Sequence, residues 1–569
     1  MKISYSLAIV VFMLATFVPL KGQNLDNISL KKGLKLSGGI NMSNIFYTSN
    51  DSIKRRDPYQ FIIGGNLNLN LFGYDMPFSF SYSNSQKSYT QPFNRFSFTP
   101  QYKWVKAYIG YSSMTFSPYT LAGYNFLGGG VELTPKHWKI SAMAGRLKKP
   151  IEYNELNSAA IPSFRRMGYG LKVGYDRGSS NVSVNVFSAK DDVRSIKNLP
   201  PDGSLHPMQN LAVGFSGHTT LLTHITLEGE YSVSMLNGDV GIKTGQSDTT
   251  GTIQNSDPSL SLQTGGTKIF SAYSGGIGYQ SQPFGLMFRY EHVAPDYQTL
   301  GGYYFNNDME NITVAPNLRL FEGKLSLAGN AGIQHNNLNH TLQTTTRRWV
   351  GAGNITYTPS VHWNASFNYS NFSSYTKIKP MTDPFFQNDM DSLNFYQITN
   401  SVNSAVNYNF GKKEAPHTLM LSGSYQKMNE VSNSTQGTAG SGFVSASSSY
   451  SHQMPKPGLT MALAYNFTNS SAPGVRSIFH GPSLTLGKML FGKELRTGFT
   501  SAYNQNIVNG ENASPLWSNS INIGYSPKKT FGGTKHNLAF NASLLQRFKS
   551  AKQSYRRELT MNLVYGFTF

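Results

Sequence analysis

Residues 559–569 read LTMNLVYGFTF. Every odd position, from Leu559 through Met561, Leu563, Tyr565 and Phe567 to Phe569, is apolar or aromatic. The even positions are Thr560, Asn562, Val564, Gly566 and Thr568. A period of two places the first set on one face of a β-strand and the second on the other. Working back along the chain, the same alternation recurs. Leu67, Leu69 and Leu71 alternate with Asn68 and Asn70, and Val182, Val184 and Val186 with Ser183 and Asn185. Trp363, Ala365, Phe367 and Tyr369 are spaced by Asn364, Ser366 and Asn368. No segment of helical period is comparably strong. Apart from Val564 the interleaved residues are small or polar, so one face of each strand suits lipid and the other suits water.

The connections alternate as well. Short turns are expected at 73–77, 134–137, 176–180, 281–283, 321–323, 359–361, 453–457 and 491–493. Longer polar stretches fall between them, at 48–59, 84–93, 149–165, 190–208, 237–266, 375–393 and 431–437. Short turns at one end and long loops at the other are the signature of a transmembrane barrel. The fold class is therefore all-β: a large single-chain transmembrane antiparallel β-barrel. Counting from Leu34 gives about 26 strands, with about 24 as the alternative because 94–134 reads ambiguously. Trp104, Trp138 and Trp363 fall beside the short turns, and Trp349 and Trp517 at the opposite rim, as two interfacial girdles require.

The first residues read as an export signal. Lys2 precedes an apolar run from Leu7 to Val18 that is too short to span a bilayer. The expected organisation is a signal peptide at 1–22, a short periplasmic segment at 23–33 and the barrel over 34–569. So short a leader leaves no room for a separate plug domain, and the lumen is expected to be unfilled by one. Localisation follows as the cell outer membrane, with both termini periplasmic. The C-terminal Tyr565, Phe567 and Phe569 resemble the signal by which barrel assembly machinery recognises its clients. The chain has no Cys, which removes disulfides, thiolate metal sites and Cys nucleophiles. Mean hydropathy is −0.34, compatible with a barrel in which alternate residues face lipid.

The net charge is +20. Its dispersal over both rims is not a nucleic-acid footprint, and no nucleic-acid partner is expected. Arg55, Arg56, Arg95, Arg165, Arg166, Arg347, Arg348, Arg476, Arg556 and Arg557 fall at the outer ends of strands. The Arg fork fits phosphate, so these are candidates for gripping lipopolysaccharide, while Lys residues beside the turns would meet anionic phospholipid. The plainer alternative is that charges flank apolar strands because they cannot enter lipid. Facing the lumen, Glu132, Lys139, Lys172, Glu228, Glu230, Arg289 and Glu291 form a charged sector. They would line a permeation path, anchor an inward-folded loop, or stand as solvated wall charges.

No HExxH motif, His cluster, Ser–His–acid set, phosphate loop or dinucleotide fingerprint is legible. No catalytic residue, metal or cofactor is assigned, and enzymatic activity is not expected. Three segments are more distinctive than barrel composition requires: Gln91–Arg95 running to Trp104, Ser117–Gly123 (SPYTLAG), and Asp296–Gly301 (DYQTLG) through Asp308. They resemble a poorly characterised family of Bacteroidota outer-membrane proteins, over most of the mature chain and most closely at 60–150 and 285–375. The resemblance implies fold and localisation and brings no catalytic residues with it. Ser52, Thr249 and Ser392 each follow an Asp in a pattern similar to the O-glycosylation motif of that phylum. The function expected is a porin-like channel for a polar solute, an anionic one included. The alternative is a structural or assembly barrel subunit bound to an unidentified envelope protein, with an outer-membrane enzyme a distant third.

Overall fold

The computed structural model describes residues 34–569 apart from 52–55, 85–94, 156–160, 239–266, 304–305, 342–344, 346, 372–399, 430–439, 529–532 and 551–553. The predicted signal segment, Arg55 and the three candidate glycosylation residues (Ser52, Thr249 and Ser392) lie outside the described residues.

The alternating segments form one continuous antiparallel sheet in which each strand pairs with its neighbours in sequence. Its wall has 26 strands, with Gln101–Tyr102 and Glu511–Asn512 continuing Arg95–Phe98 and Leu516–Tyr525 across short breaks. The first break falls at Thr99-Pro100, where Pro has no N–H to give to the ladder. The ladder still continues past it, because Thr99 N–H donates to Pro77 and Ala107 N–H to Pro100. The sheet closes on itself: Leu34–Ser49 pairs with Tyr59–Leu71 on one side and with Arg556–Thr568 on the other, from Gly39↔Thr568 to Ser49↔Glu558. Closure leaves no strand edge, which an apolar medium requires because it cannot solvate unpaired backbone groups.

The ambiguous stretch resolves as three strands, Arg95–Tyr102, Val105–Thr115 and Ala122–Leu133, which keeps the larger strand number. The first predicted turn is shorter than expected: strand Tyr74–Ser83 starts at once, leaving Phe72 and Gly73 to turn the chain, both at positive φ. That tightness shifts Asp75 onto the wall, where Asn70 donates to it at 2.7 Å.

The alternation sets the two faces. Val184, Phe215, Ile277 and Leu463 are about half exposed on the outside, at 48, 54, 53 and 59%. Such an apolar outer band is a lipid-facing surface. The end that carries both termini and the short turns has a belt of aromatic rings. Trp138 packs edge-on to Tyr175, Trp363 lies 4.4 Å from Tyr408, and Tyr565, Phe567 and Phe569 stack in series. Among the described residues no helix is long and apolar enough to cross a membrane.

One outcome follows directly. Leu563 faces outward and Asn562 inward, paired with Asn541. Leu563→Arg should destabilise the folded barrel by about 2–4 kcal/mol, whereas Asn562→Arg should cost far less. Urea titration of the refolded protein in lipid vesicles, read by the mobility difference between folded and heat-unfolded forms, measures both.

Candidate functional site

The barrel interior is two different halves. In the sector bounded by strands Val105–Thr115 and Leu325–His335, two connections turn into the lumen instead of away from it. One is residues 116–121; the other is residues 294–303. They are the SPYTLAG and DYQTLG segments singled out in the sequence. Leu121, Tyr297 and Leu300 are buried, and with Phe126, Phe187 and Met143 they form the apolar core of the molecule. The lumen is thus partly filled in this sector, with no separate plug domain among the described residues. The filling is supplied by the barrel's own connections, which fold inward because their apolar residues find apolar residues on the wall.

The two connections hold each other and the wall. Tyr297 donates its hydroxyl to the Tyr119 carbonyl at 2.6 Å, and Thr299 donates to the Thr120 carbonyl at 2.9 Å. Ala122 N–H reaches the Gly301 carbonyl at 2.9 Å. Asn210, fully buried on the wall, accepts from Leu300 N–H at 3.1 Å and donates to Ser234 at 2.7 Å. Ser234 in turn donates to the Gln298 carbonyl at 2.6 Å, and Thr120 donates to Asn185 at 2.6 Å. Most of these buried polar groups are satisfied by one another, the Asn185 amide nitrogen being the exception.

Three of the seven predicted lumen charges are the anchors of the first connection. Lys172 donates to the Phe116 carbonyl at 2.5 Å, Ser117 donates to Glu230, and Tyr119 donates to Glu291 at 2.6 Å. Burial, and then the Glu291 carboxylate, push the Tyr119 hydroxyl well above its ordinary range, and burial does the same to Tyr297. Both therefore remain protonated donors. Of the other four, Glu228 pairs with Arg289, Lys139 pairs with Asp176 at 2.6 Å, and Glu132 accepts from Tyr108 at 2.7 Å. Lys172, Glu230 and Glu291 thus hold the first connection, while the other four have partners on the wall.

The arginines divide by parity. Arg166 is buried and doubly bonded to Asp191 at 2.7 and 2.8 Å. Arg348 donates to Gln334, and Arg556 pairs with Glu558 and with Asp51. Registers Gln334↔Arg348 and Arg547↔Arg556 put both on the inner face, so these three do not present a fork to lipid. Arg165, Arg347 and Arg557 take the outward parity, Arg165 pairing with Asp192, while Arg56 stacks over Tyr47. Among the described residues no group of three or more His, Asp or Glu converges as a metal site.

The sequence carried a signal for the inward connections that alternation alone does not use. Met114, Phe116, Tyr124 and Phe126 are apolar at the inward parity, flanking SPYTLAG. Small residues stand opposite: a Cβ on Gly170 would come within 2.6 Å of Phe116, and one on Gly145 within 2.7 Å of Phe126. Strands apolar on the inward side are buried on both faces, which a water-lined wall would not tolerate.

No family model matches the chain, and no curated protein matches it. Solved structures do. The FrpB iron transporter from Neisseria meningitidis (F5-1 variant) is 11% identical, with TM-score 0.35, over 94% of this chain and 83% of that one. The P pilus usher (PapC) translocation pore is 10% identical, with TM-score 0.38, over 94% and 99%. The outer membrane protein OpdK from Pseudomonas aeruginosa is 10% identical, with TM-score 0.29, over 64% and 94%. At such identities and scores, the strand pairings themselves carry the description of this barrel.

Gly301 is where the second connection passes closest to the first. A Cβ there would lie 2.4 Å from the Thr120 carbonyl oxygen and 2.9 Å from the Phe187 ring. Gly301→Ala should therefore cost roughly 1–3 kcal/mol through overpacking against groups that cannot retreat. Denaturant titration of the refolded variant measures the loss, and limited proteolysis should show earlier cleavage near residue 300.

Proposed function

We propose that this chain is an outer-membrane channel of porin type in a Gram-negative envelope, with a lumen narrowed by its own inward connections. The observation that carries the reading is the pairing of a closed, outwardly apolar 26-strand wall with connections 116–121 and 294–303 bound inside it. A barrel of this size cannot be filled by its wall side chains alone. Loops fixed in the lumen reduce its bore while leaving the opposite wall free to carry water and solute.

The orientation in this reading places both termini in the periplasm, at the end with the short turns and the aromatic belt. Arg347 and Arg557 then stand at the outer rim at the level of lipopolysaccharide phosphates, the two outward forks best placed to meet them. The C-terminal aromatics Tyr565 and Phe567 lie on the strand that closes the barrel and Phe569 directly follows it, where assembly machinery would engage them.

Planar-bilayer recordings of the refolded mature protein test the channel. Stable unitary conductance is the expected result. Tyr297→Ala removes the hydroxyl and ring that tie one connection to the other, and it should raise the conductance or make it fluctuate between levels. Electrical silence of well-folded protein, with a tightly co-purifying envelope protein, would move the assignment to a subunit of an envelope complex.

A further inference from the structure

The half of the wall facing away from the filled sector is mostly small and polar on its inner face, with Val350, Met420, Phe443, Phe479, Leu545 and Val564 set among the polar residues. One cross-strand row on its inner face runs Asn354–Asn368–Asn403–Ser424–Ser445–Thr468. Another runs Thr485–Thr500–Ser520–Ser543–Thr560. Neighbours within a row bond to each other, as Ser424 with Ser445 at 2.6 Å and Thr485 with Thr500 at 3.1 Å. Each hydroxyl and amide nevertheless has capacity beyond one such bond. Inward charges on these strands are confined to their ends: Arg348, Glu511, Arg547, Arg556 and Glu558 at one rim, Arg496 and Lys535 at the other. Among the described residues of Arg347–Ser360 through Arg556–Thr568, none of the inward positions between those ends carries a charge.

In the filled sector too, the inward charges beyond the anchors and pairs described above stand toward the strand ends, at Lys106, Lys268 and Arg319. Its other acids and bases are occupied as described: Arg289 with Glu228, Lys172 with a carbonyl, Glu230 and Glu291 with hydroxyls. The exposed parts of its two connections are Pro118, Gln298 and Tyr303, with Asp296 their one exposed carboxylate among the described residues. Tyr303 is 46% exposed and is held flat on the inward ring of Tyr124, with centroids 4.1 Å apart and planes within 16°. Its hydroxyl is pinned by Asn125, whose backbone N–H and side-chain amide both donate to it at 3.1 Å. It is a braced aromatic platform opposite a wall of amides and hydroxyls.

From this we infer that the conduit takes neutral saccharides, with Tyr303 as a stacking platform and the Asn/Ser/Thr wall exchanging hydrogen bonds with their hydroxyls. The inference rests on the channel reading. A sugar offers C–H faces to an aromatic ring and a dense set of hydroxyls to amides and alcohols. An ion passing the same surfaces gives up hydration without meeting a counter-charge. The neutral class stands in place of the anionic solute included among the expectations from sequence.

Liposome swelling with the full mature protein separates the outcomes, using maltotriose, trigalacturonate and fully deacetylated chitotriose as probes of matched size and different charge. Maltotriose should enter at least about fivefold faster than either charged trimer. Equal rates, or faster entry of trigalacturonate, would overturn the neutral class and leave the channel standing. No swelling with any of the three, nor with arabinose, would remove the channel reading itself. In single-channel recordings, maltotriose should block the current, and Tyr303→Ala should raise the half-blocking concentration about fivefold with open conductance unchanged. Tyr303→Phe keeps the ring and should keep the block. If Tyr303→Ala blocks as the parent does, the platform is wrong. If that variant fails to fold, loss of block in Tyr303→Phe overturns the platform and retention supports it.

Discussion

Closure of the backbone ladder is the constraint on which the rest of this structure depends. A sheet that meets lipid on its outside cannot leave an edge unpaired, so the first and last strands must meet. They do so through the pairing of Leu34–Ser49 with Arg556–Thr568. Once the sheet is closed, the period of two has only one consistent outcome: one parity faces lipid and the other faces the interior. A slip of one residue at the seam would place Asn562 and Thr560 in the membrane and Leu563 and Met561 in the lumen. The alternation therefore fixes register as well as fold.

Closure of so many strands creates the second problem, an interior too wide for wall side chains to span. This chain meets it unevenly. Over the strands next to 116–121 and 294–303, the inner wall carries Phe, Met and Leu with Gly opposite them, and backbone packs closely on ring. Over the remaining strands it carries mainly Asn, Ser and Thr, with scattered apolar residues such as Met420 and Phe443. The apolar sector gains from burial, at about 1.5–3 kcal/mol for each large side chain taken fully out of water. The polar sector gains from hydration and would lose by being covered with apolar groups.

How much of this was legible follows from the range of each interaction. Strand alternation and short turns are local, so fold class, strand number and the turn at 281–283 could be read from neighbouring residues. The inward connections are not local: Tyr297 bonds to Tyr119 across 178 positions, and Asn210 to Leu300 across 90. Nothing within SPYTLAG distinguishes a solvent loop from one that folds inward. The apolar inward parity on either side, with Gly on the facing strands, was the readable trace. Lys172, Glu230 and Glu291 were legible as inward charges from parity alone. Their roles became determinate only once Phe116, Ser117 and Tyr119 stood opposite them.

The same contacts decide whether the connections act as a gate or as fixed structure. Swinging 294–303 out of the lumen would uncover Tyr297 and Leu300 and would leave the Asn210 amide oxygen, fully buried, without its backbone donor. Buried apolar area and buried polar satisfaction both oppose that motion, and the losses are coupled because the two connections share partners. Gly301 strengthens the case, since the close approach it permits exists only in the docked arrangement. The filled sector is thus fixed structure. In the proposed channel, a solute would meet free hydrogen-bonding capacity along the polar wall and at the exposed ring of Tyr303.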